Sequence, residues 1–360
     1  MHWQTAVEVA LASDVPVILW GPPGIGKTAY IYALAKALDE HLEVVIASLR
    51  EPSDFLGLPI RKGEEVIMAP PSWARRLRDY GHGLVVFDEI TTAPPAVQAT
   101  LLRVVLERVV GDLALPPGVK ILAIANPADE AGGWDLSLPL TNRFLHIQAE
   151  ELGSEAWAQG LISGWDVKPK IMGKFVVDEA MKLRARSEIG GFLNHRPELM
   201  LQKPLPDSKD KESWPSPRSW EMAARLLGTA YSVGVPPVVS LKLMQGSVGN
   251  GAASEFMSWQ KTLDLPDPAV VIKSPHKFKV PKRPDITFAA LGAVVGYAIP
   301  RLADKAEGPR VWENAWKILA MVCEAGQPDV AVPSARNLAK APQDYAIPES
   351  VEKFGEIFGL

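Results

Sequence analysis

Residues Gly21-Pro22-Pro23-Gly24-Ile25-Gly26-Lys27-Thr28 constrain this chain more than any other stretch. They follow the apolar run Val15–Trp20 and open a helical pattern that runs from Ala29 to Leu38. A buried strand, a glycine-rich turn and a helix start, in that order, build an anion cradle. Glycine lets the backbone wrap closely round a phosphate, so that several main-chain N–H groups converge on it. The helix that begins at the turn adds the positive end of its dipole. Lys27 has the reach for the β- and γ-phosphates, and the Thr28 hydroxyl is a ligand for Mg²⁺. Gly21, Pro22, Pro23, Gly24, Ile25, Gly26, Lys27, Thr28 and Ala29 are therefore the candidate binding loop for a nucleoside triphosphate.

A second buried strand, Leu84-Val85-Val86-Phe87, ends in Asp88-Glu89. Two adjacent acids at the end of an apolar strand are costly unless a cation or polar partner stands nearby. Asp88 is the expected metal-side acid, and Glu89 the expected base that orients water at the γ-phosphate. A third apolar strand, Ile121 to Ala125, ends in Asn126-Pro127, where the amide is able to bond the attacking water. Arg143, in Leu138-Pro139-Leu140-Thr141-Asn142-Arg143-Phe144, stands at a helix-to-strand junction. By spacing alone it is a plain exposed arginine; in a neighbour's site it would neutralise transition-state charge. Ser216-Pro217-Arg218 opens a later helix, with Ser216 as cap and proline at the first helical position. Arg218 is either a simple helix-start arginine or a bridge to bound phosphate.

Composition narrows the class. The 360 residues suit two or three folding units, and 47% hydrophobic with 22% charged residues is ordinary for a globular protein. A net charge of −4 argues against a chain whose main task is gripping nucleic acid. The single cysteine, Cys323, excludes an internal disulfide and reads as a packed core thiol. The N-terminus lacks a basic region followed by an apolar one, and Phe288 to Pro300 is too short for a membrane span. A cytoplasmic location is expected.

Residues 1–150 alternate strands (Val15–Trp20, Glu43–Ser48, Gly83–Asp88, Lys120–Asn126, Phe144–Gln148) with helices (Trp3–Ala12, Lys27–Leu38, Pro95–Arg108). Near-continuous apolar strands predict a parallel sheet covered on both faces, an α/β class. From Leu152 helical patterns dominate, interrupted by an exposed loop at Arg196–Pro217 and a proline-punctuated segment at Leu265–Pro284. Helices are expected at Ser219–Leu227, Ile286–Ala303 and Val311–Glu324, and the tail from Gln327 is weakly patterned. Five basic residues, Lys273, Lys277, Lys279, Lys282 and Arg283, read as a solvated interdomain linker in preference to a nucleic-acid strip. His82 and His146 read as structural or surface residues, and Trp220, Trp259 and Trp316 as core.

Taken in order, these motifs resemble the AAA+ superfamily, and within it the MoxR-like branch. Glu51–Gly57 with Glu65–Pro70 is similar to the insert that interrupts helix 2 in that clade. Asp88–Pro95, Leu101-Leu102 and Glu107–Val110 resemble the approach to the hairpin before the first sensor. Gly246–Ala253 with Leu265–Pro268 resembles the lid. The resemblance implies a P-loop NTPase (AAA+) domain at 1–150 with a helix-2 insert, an α-helical lid carrying sensor 2 at 151–275, and a helical C-terminal extension at 276–360. It implies ATP and Mg²⁺ as cofactors, Thr28 and Asp88 as metal-side residues, and Glu89, Asn126, Arg143 and Arg218 as catalytic. Arg143 would be the arginine finger, with Arg103 and Arg108 as alternatives. It further implies a homo-oligomer, most often a hexameric ring, that remodels or matures other proteins beside a von Willebrand factor A domain partner. The alternative is a nucleic-acid-associated motor or restriction-type subunit. One departure stands out: relatives commonly follow the acid with Asn-Arg, where this chain has Thr91-Thr92.

Overall fold

The computed structural model describes residues 2–127, 133–165, 167–171, 177–204, 211–341, 345–348 and 355–358. The chain forms two compact units, each discontinuous in sequence. The first comprises Met1–Phe175, Lys203–Leu226 and Val235–Asn250; the second comprises Val176–Gln202, Leu227–Gly234 and Gly251–Leu360. The helix start bearing Arg218 belongs to the unit that holds the phosphate loop.

In the first unit, α1 (His2–Ala12) leads into β1 (Val17–Trp20), α2 (Lys27–Leu38) and β2 (Leu42–Ile46). The insert follows as α3 (Ser53–Leu56) and the antiparallel pair β3 (Leu58–Lys62) and β4 (Glu65–Ala69), then α4 (Ser72–Tyr80). Next come β5 (His82–Asp88), α5 (Pro95–Glu107), the small hairpin β6 (Val109–Val110) and β7 (Leu113–Ala114), and β8 (Gly118–Ala125). A single-turn α6 (Leu138–Thr141), β9 (Leu145–Gln148) and α7 (Ser154–Ser163) complete this stretch.

Five strands form one sheet in the order β2-β5-β8-β1-β9, and every neighbouring pair is parallel. All four residues of β1 and the middle five of β5 are buried, as a sheet covered on both faces requires. The side chains of Ile18, Val85, Phe87 and Ala123 enter one core with Phe55 and Trp73 from the insert region. Parallel order has a functional consequence: β5, β8 and β1 are adjacent, so their carboxyl ends converge on one edge. The strand ends at Asp88, Asn126 and Trp20 are brought together there. β2 lies beside β5 and adds Ser48 to the same edge. β9 begins beside Val17, so Thr141-Asn142-Arg143 enters the sheet at the opposite edge.

The two hairpins are joined. Gly111 N–H donates to the Phe55 carbonyl, and Met68 N–H donates to Asp112 Oδ2 at 2.7 Å. β3 is exposed along its length and β4 at Glu65 and Val66, with Leu58, Ile60 and Val66 facing solvent and Ile67–Ala69 half-buried.

The second unit is helical. It contains α8 (Glu179–His195), the later part of α9 (Pro217–Val233) and most of α11 (Asn250–Lys261), with α10 (Pro237–Val248) belonging to the first unit. Then come α12 (Pro268–Lys273), α13 (Pro284–Ala298), α14 (Gly308–Glu324), α15 (Pro328–Ala339) and the short α16 (Gly355–Phe358). Trp312, Trp316, Leu319 and Cys323 form its core with Phe278 and Val294. The weakly patterned tail thus includes a helix, α15, whose Pro333 blurred the periodicity.

The basic segment is not a free linker. Pro275 and Phe278 are buried, Asn314 donates to the Ile272 carbonyl at 2.8 Å, and Gln327 donates to the Pro281 carbonyl at 2.8 Å. Arg283 is committed to Asp285 at 2.6 Å. The loop expected at Arg196–Pro217 also ends differently: Trp214 and Ser216 are buried, and residues 205–210 lie outside the described set. Trp220, Trp259 and Trp316 are buried as expected, and His82 is an exposed partner of Glu40.

Candidate nucleotide site

The phosphate loop leaves β1 at Trp20 and turns into α2 at Lys27. Gly24 and Gly26 hold φ of 85° and 93°, left-handed conformations that strain any other residue. A Cβ at either position would meet no protein atom within 4 Å, so the loop's concavity stays open. Gly26 caps α2 without a side chain, leaving the first-turn N–H groups with no side-chain acceptor. An open cradle rimmed with main-chain donors fits a polyphosphate.

Lys27 is buried, and its ammonium folds back over the loop. It donates to Gly21 O at 2.7 Å, Pro22 O at 2.9 Å and Asn126 Oδ1 at 2.8 Å. Thr28 Oγ1 donates to Asp88 Oδ2 at 3.0 Å. A hydroxyl and a carboxylate side by side are hard oxygen donors suited to Mg²⁺, which keeps waters and takes its remaining ligands from phosphate. The structure therefore brings five predicted residues together: Lys27, Thr28, Asp88, Asn126 and, next in chain, Glu89.

Glu89 has φ of 55°, an uncommon value for a side-chain-bearing residue. Three contacts hold the turn. Asp88 Oδ1 accepts from Glu89 N–H at 2.9 Å, while Thr92 donates to Glu89 O from its N–H and from Oγ1 at 2.9 Å. Thr91 Oγ1 donates to Asn126 O at 3.2 Å. The Thr91-Thr92 pair thus ties the acid turn to the neighbouring strand end. The Glu89 carboxylate itself accepts from Ser48 Oγ at 2.5 Å. Ser48, Thr91 and Thr92 were not among the predicted site residues. The available signal was that β2 and β5, if adjacent, place their last residues together.

The arginines lie elsewhere. Arg218 Nη1 donates to Asn142 Oδ1 at 3.3 Å, and Ser216 Oγ donates to the same oxygen at 3.1 Å. Ser216 also caps α9, accepting from Ser219 N–H at 3.1 Å. Arg143 Nη1 donates to the Pro139 carbonyl, and its buried Nε has no hydrogen-bond partner among the described residues. Burial and the nearby Arg218 charge lower its pKa from the usual arginine value. The two like charges are close enough to repel, Arg218 held on the Asn142 amide and Arg143 on the Pro139 carbonyl. Arg103 and Arg108 are engaged within the chain: the first pairs with Glu107 at 3.0 Å, and the second bonds the Pro116 and Val119 carbonyls.

The family model described as "ATPase family associated with various cellular activities (AAA)" matches residues 16–146. Residues 16–146 are thus similar to the AAA-type ATPases. That span runs from the start of β1 into β9 and includes every residue of the phosphate-loop cluster. Within the AAA+ domain the chain is similar to the NorQ protein of Paracoccus denitrificans, 28% identical over 128 residues. This match covers 33% of this chain and 47% of NorQ. It is also similar to the replication factor C large subunit of Pyrobaculum calidifontis, 36% identical over 91 residues, or 25% of this chain and 19% of that protein. The chain thus spans less than half the length of either relative. A solved structure of a candidate ATPase from Cytophaga hutchinsonii aligns with a TM-score of 0.46 at 16% identity, covering 78% of this chain and 89% of that one. A match to this family over residues 16–146 implies nucleotide binding.

Proposed function

We propose that the chain is a Mg-ATP-hydrolysing AAA+ ATPase that assembles into a ring, most simply a hexamer, and remodels or matures other proteins. The observation that carries this is the meeting of Lys27, Thr28, Asp88, Glu89 and Asn126 where three adjacent parallel strands end. Thr28 and Asp88 would hold magnesium, which when bound supplies neutralisation of the β- and γ-phosphate oxygens. Lys27 supplies a fixed positive charge at the loop mouth. Glu89 takes the proton from the attacking water, and Asn126 orients that water while anchoring Lys27. Arg143 serves a neighbouring protomer's site, a role favoured by its place at the sheet edge opposite the phosphate loop. Arg218, bonded to Asn142, would act beside it.

We keep the lid at 151–275, the C-terminal extension at 276–360, a cytoplasmic location and a von Willebrand factor A domain partner as parts of the same proposal. Among the described residues no helix is long and apolar enough to cross a membrane. The exposed β3–β4 hairpin, tied to β6–β7, is the surface we assign to substrate protein. The deciding experiment is Glu89→Gln in purified chain. It should retain ATP with Mg²⁺ and lose turnover by about a hundredfold or more; unaltered hydrolysis removes Glu89 from the mechanism.

The second reading, a nucleic-acid-associated motor, draws on Lys273, Lys277, Lys279 and Lys282. These are exposed and have no ion pair among the described residues. Phe278 is buried, so this ring is not open to base stacking. Tight binding to labelled single strands or duplex, falling steeply with salt, would favour this reading over protein remodelling.

A further inference from the structure

Trp20 is the last residue of β1, immediately before the phosphate loop. Its indole Nε1–H donates to His146 Nδ1 at 2.8 Å, and His146 Nε2 bonds the Thr141 carbonyl at 2.9 Å. The two rings are nearly coplanar, edge to edge along this bond, with centroids 5.9 Å apart and 15° between planes. Ile18 pairs with His146 and Trp20 with Gln148 in the parallel register, so Trp20 and His146 stand diagonally on one face of the sheet. All three partners are buried: Trp20 is 8%, His146 5% and Thr141 3% exposed.

The protonation pattern follows from the donors. An indole N–H only donates, so His146 Nδ1 is bare and its single ring proton lies on Nε2, which donates to Thr141. Burial lowers the His146 pKa to about 4, so the ring is neutral at pH 7. The backbone is clamped as well: any side chain at Gly246 of α10 would meet the His146 carbonyl at 2.1 Å.

Both ends of this connection are functional. Lys27 holds the carbonyl of Gly21, the residue after Trp20. Asn142, the residue after Thr141, accepts from Ser216 and Arg218 and precedes Arg143. β1 is four residues long, about 13 Å, so two side chains suffice to cross the sheet from its carboxyl edge to its amino edge. We infer that Trp20 and His146 are positioning residues, a buried relay that fixes the Asn142-Arg143 turn relative to the phosphate loop. The relay rests on the proposed hydrolysis only for its kinetic consequence. Its effect is that the protomer's own nucleotide loop and the arginines it offers a neighbour are held as one body.

The test uses the full chain. Trp20→Phe keeps a ring and deletes the donor; His146→Phe deletes both bonds; His146→Gln retains an acceptor and a donor on a flat amide. The relay requires kcat to fall about tenfold in both Phe variants, with KM and nucleotide affinity within about twofold and partial recovery in the Gln variant. In an Arg143→Lys background, Trp20→Phe should cost little more, because the two changes share one route. Wild-type kcat in both Phe variants, a loss that merely follows the folded fraction, or full additivity with Arg143→Lys overturns it. The Trp20 indole N–H resonance reads the connection without turnover and should move on Asn142→Ala; a resonance that stays put also overturns it. A wild type that shows no ATP turnover defeats the proposed function instead, and the resonance still decides the relay.

Discussion

Ser48 Oγ donates a 2.5 Å hydrogen bond to Glu89 Oε2, across a sequence separation of 41 residues. The two groups meet because β2 and β5 are neighbouring parallel strands with Ile46 paired to Asp88. A charge-assisted bond of this kind contributes about 1.5–3 kcal/mol, and it occupies one oxygen of the proposed base. Ser48 therefore restrains Glu89. Ser48→Ala should raise basal kcat about threefold to tenfold and leave nucleotide affinity unchanged. Steady-state kinetics decide it; an unchanged or lower kcat rejects the restraint.

Lys27→Ala should abolish nucleotide binding, weakening affinity by about a hundredfold or more, as expected for loss of a phosphate-facing cation. Asn126 would lose its 2.8 Å partner at the same time, so a modest fall in melting temperature should accompany the change. Titration calorimetry with ATP and Mg²⁺ checks the first effect and thermal unfolding the second. Retained affinity at the wild-type level would remove the loop from the function.

Arg143→Ala should spare nucleotide binding and lower turnover by about a thousandfold, the scale of a lost arginine finger. Mixing it with Glu89→Gln chains should restore part of the activity, because some shared sites then combine an intact base with an intact arginine. A mixture no more active than its components counts against action between protomers.

His146 links stability to pH. Burial lowers its folded pKa to about 4 from an ordinary 6.5. Between those values the unfolded chain binds the proton and the folded chain does not, so stability falls as pH drops from 6.5 towards 4. Above 6.5 the contribution is fully present, and it amounts to about 3 kcal/mol. Urea unfolding of wild type and His146→Gln from pH 4 to 8 should show the wild type losing more stability on acidification. Parallel curves across that window would contradict it.

Much of the first unit was legible because its signals are local. The apolar runs at Val17–Trp20 and Leu84–Phe87 required a sheet covered on both faces, and the glycine-rich run required a close-wrapping turn, which the structure makes with left-handed Gly24 and Gly26. The boundaries shifted where neighbours intervened: Ser48 left β2 for a 3₁₀ turn, and Pro333 masked α15. His146, taken as structural or surface from sequence, is a buried link, since nothing near it in the chain identifies Trp20 as its partner. The Lys273–Lys282 segment looked solvated because its anchors, Pro275 and Phe278, are sparse among lysines.

The residues alone determined a nucleotide cradle with its lysine, hydroxyl and acids, because each motif is set by a few consecutive backbone conformations. Tertiary structure alone decided what those motifs touch. Ser48 reaches Glu89, Arg218 reaches Asn142 and Trp20 reaches His146 across 41, 76 and 126 residues. Such pairs depend on strand order and register, which arise when the whole sheet packs and leave no periodic trace in the chain.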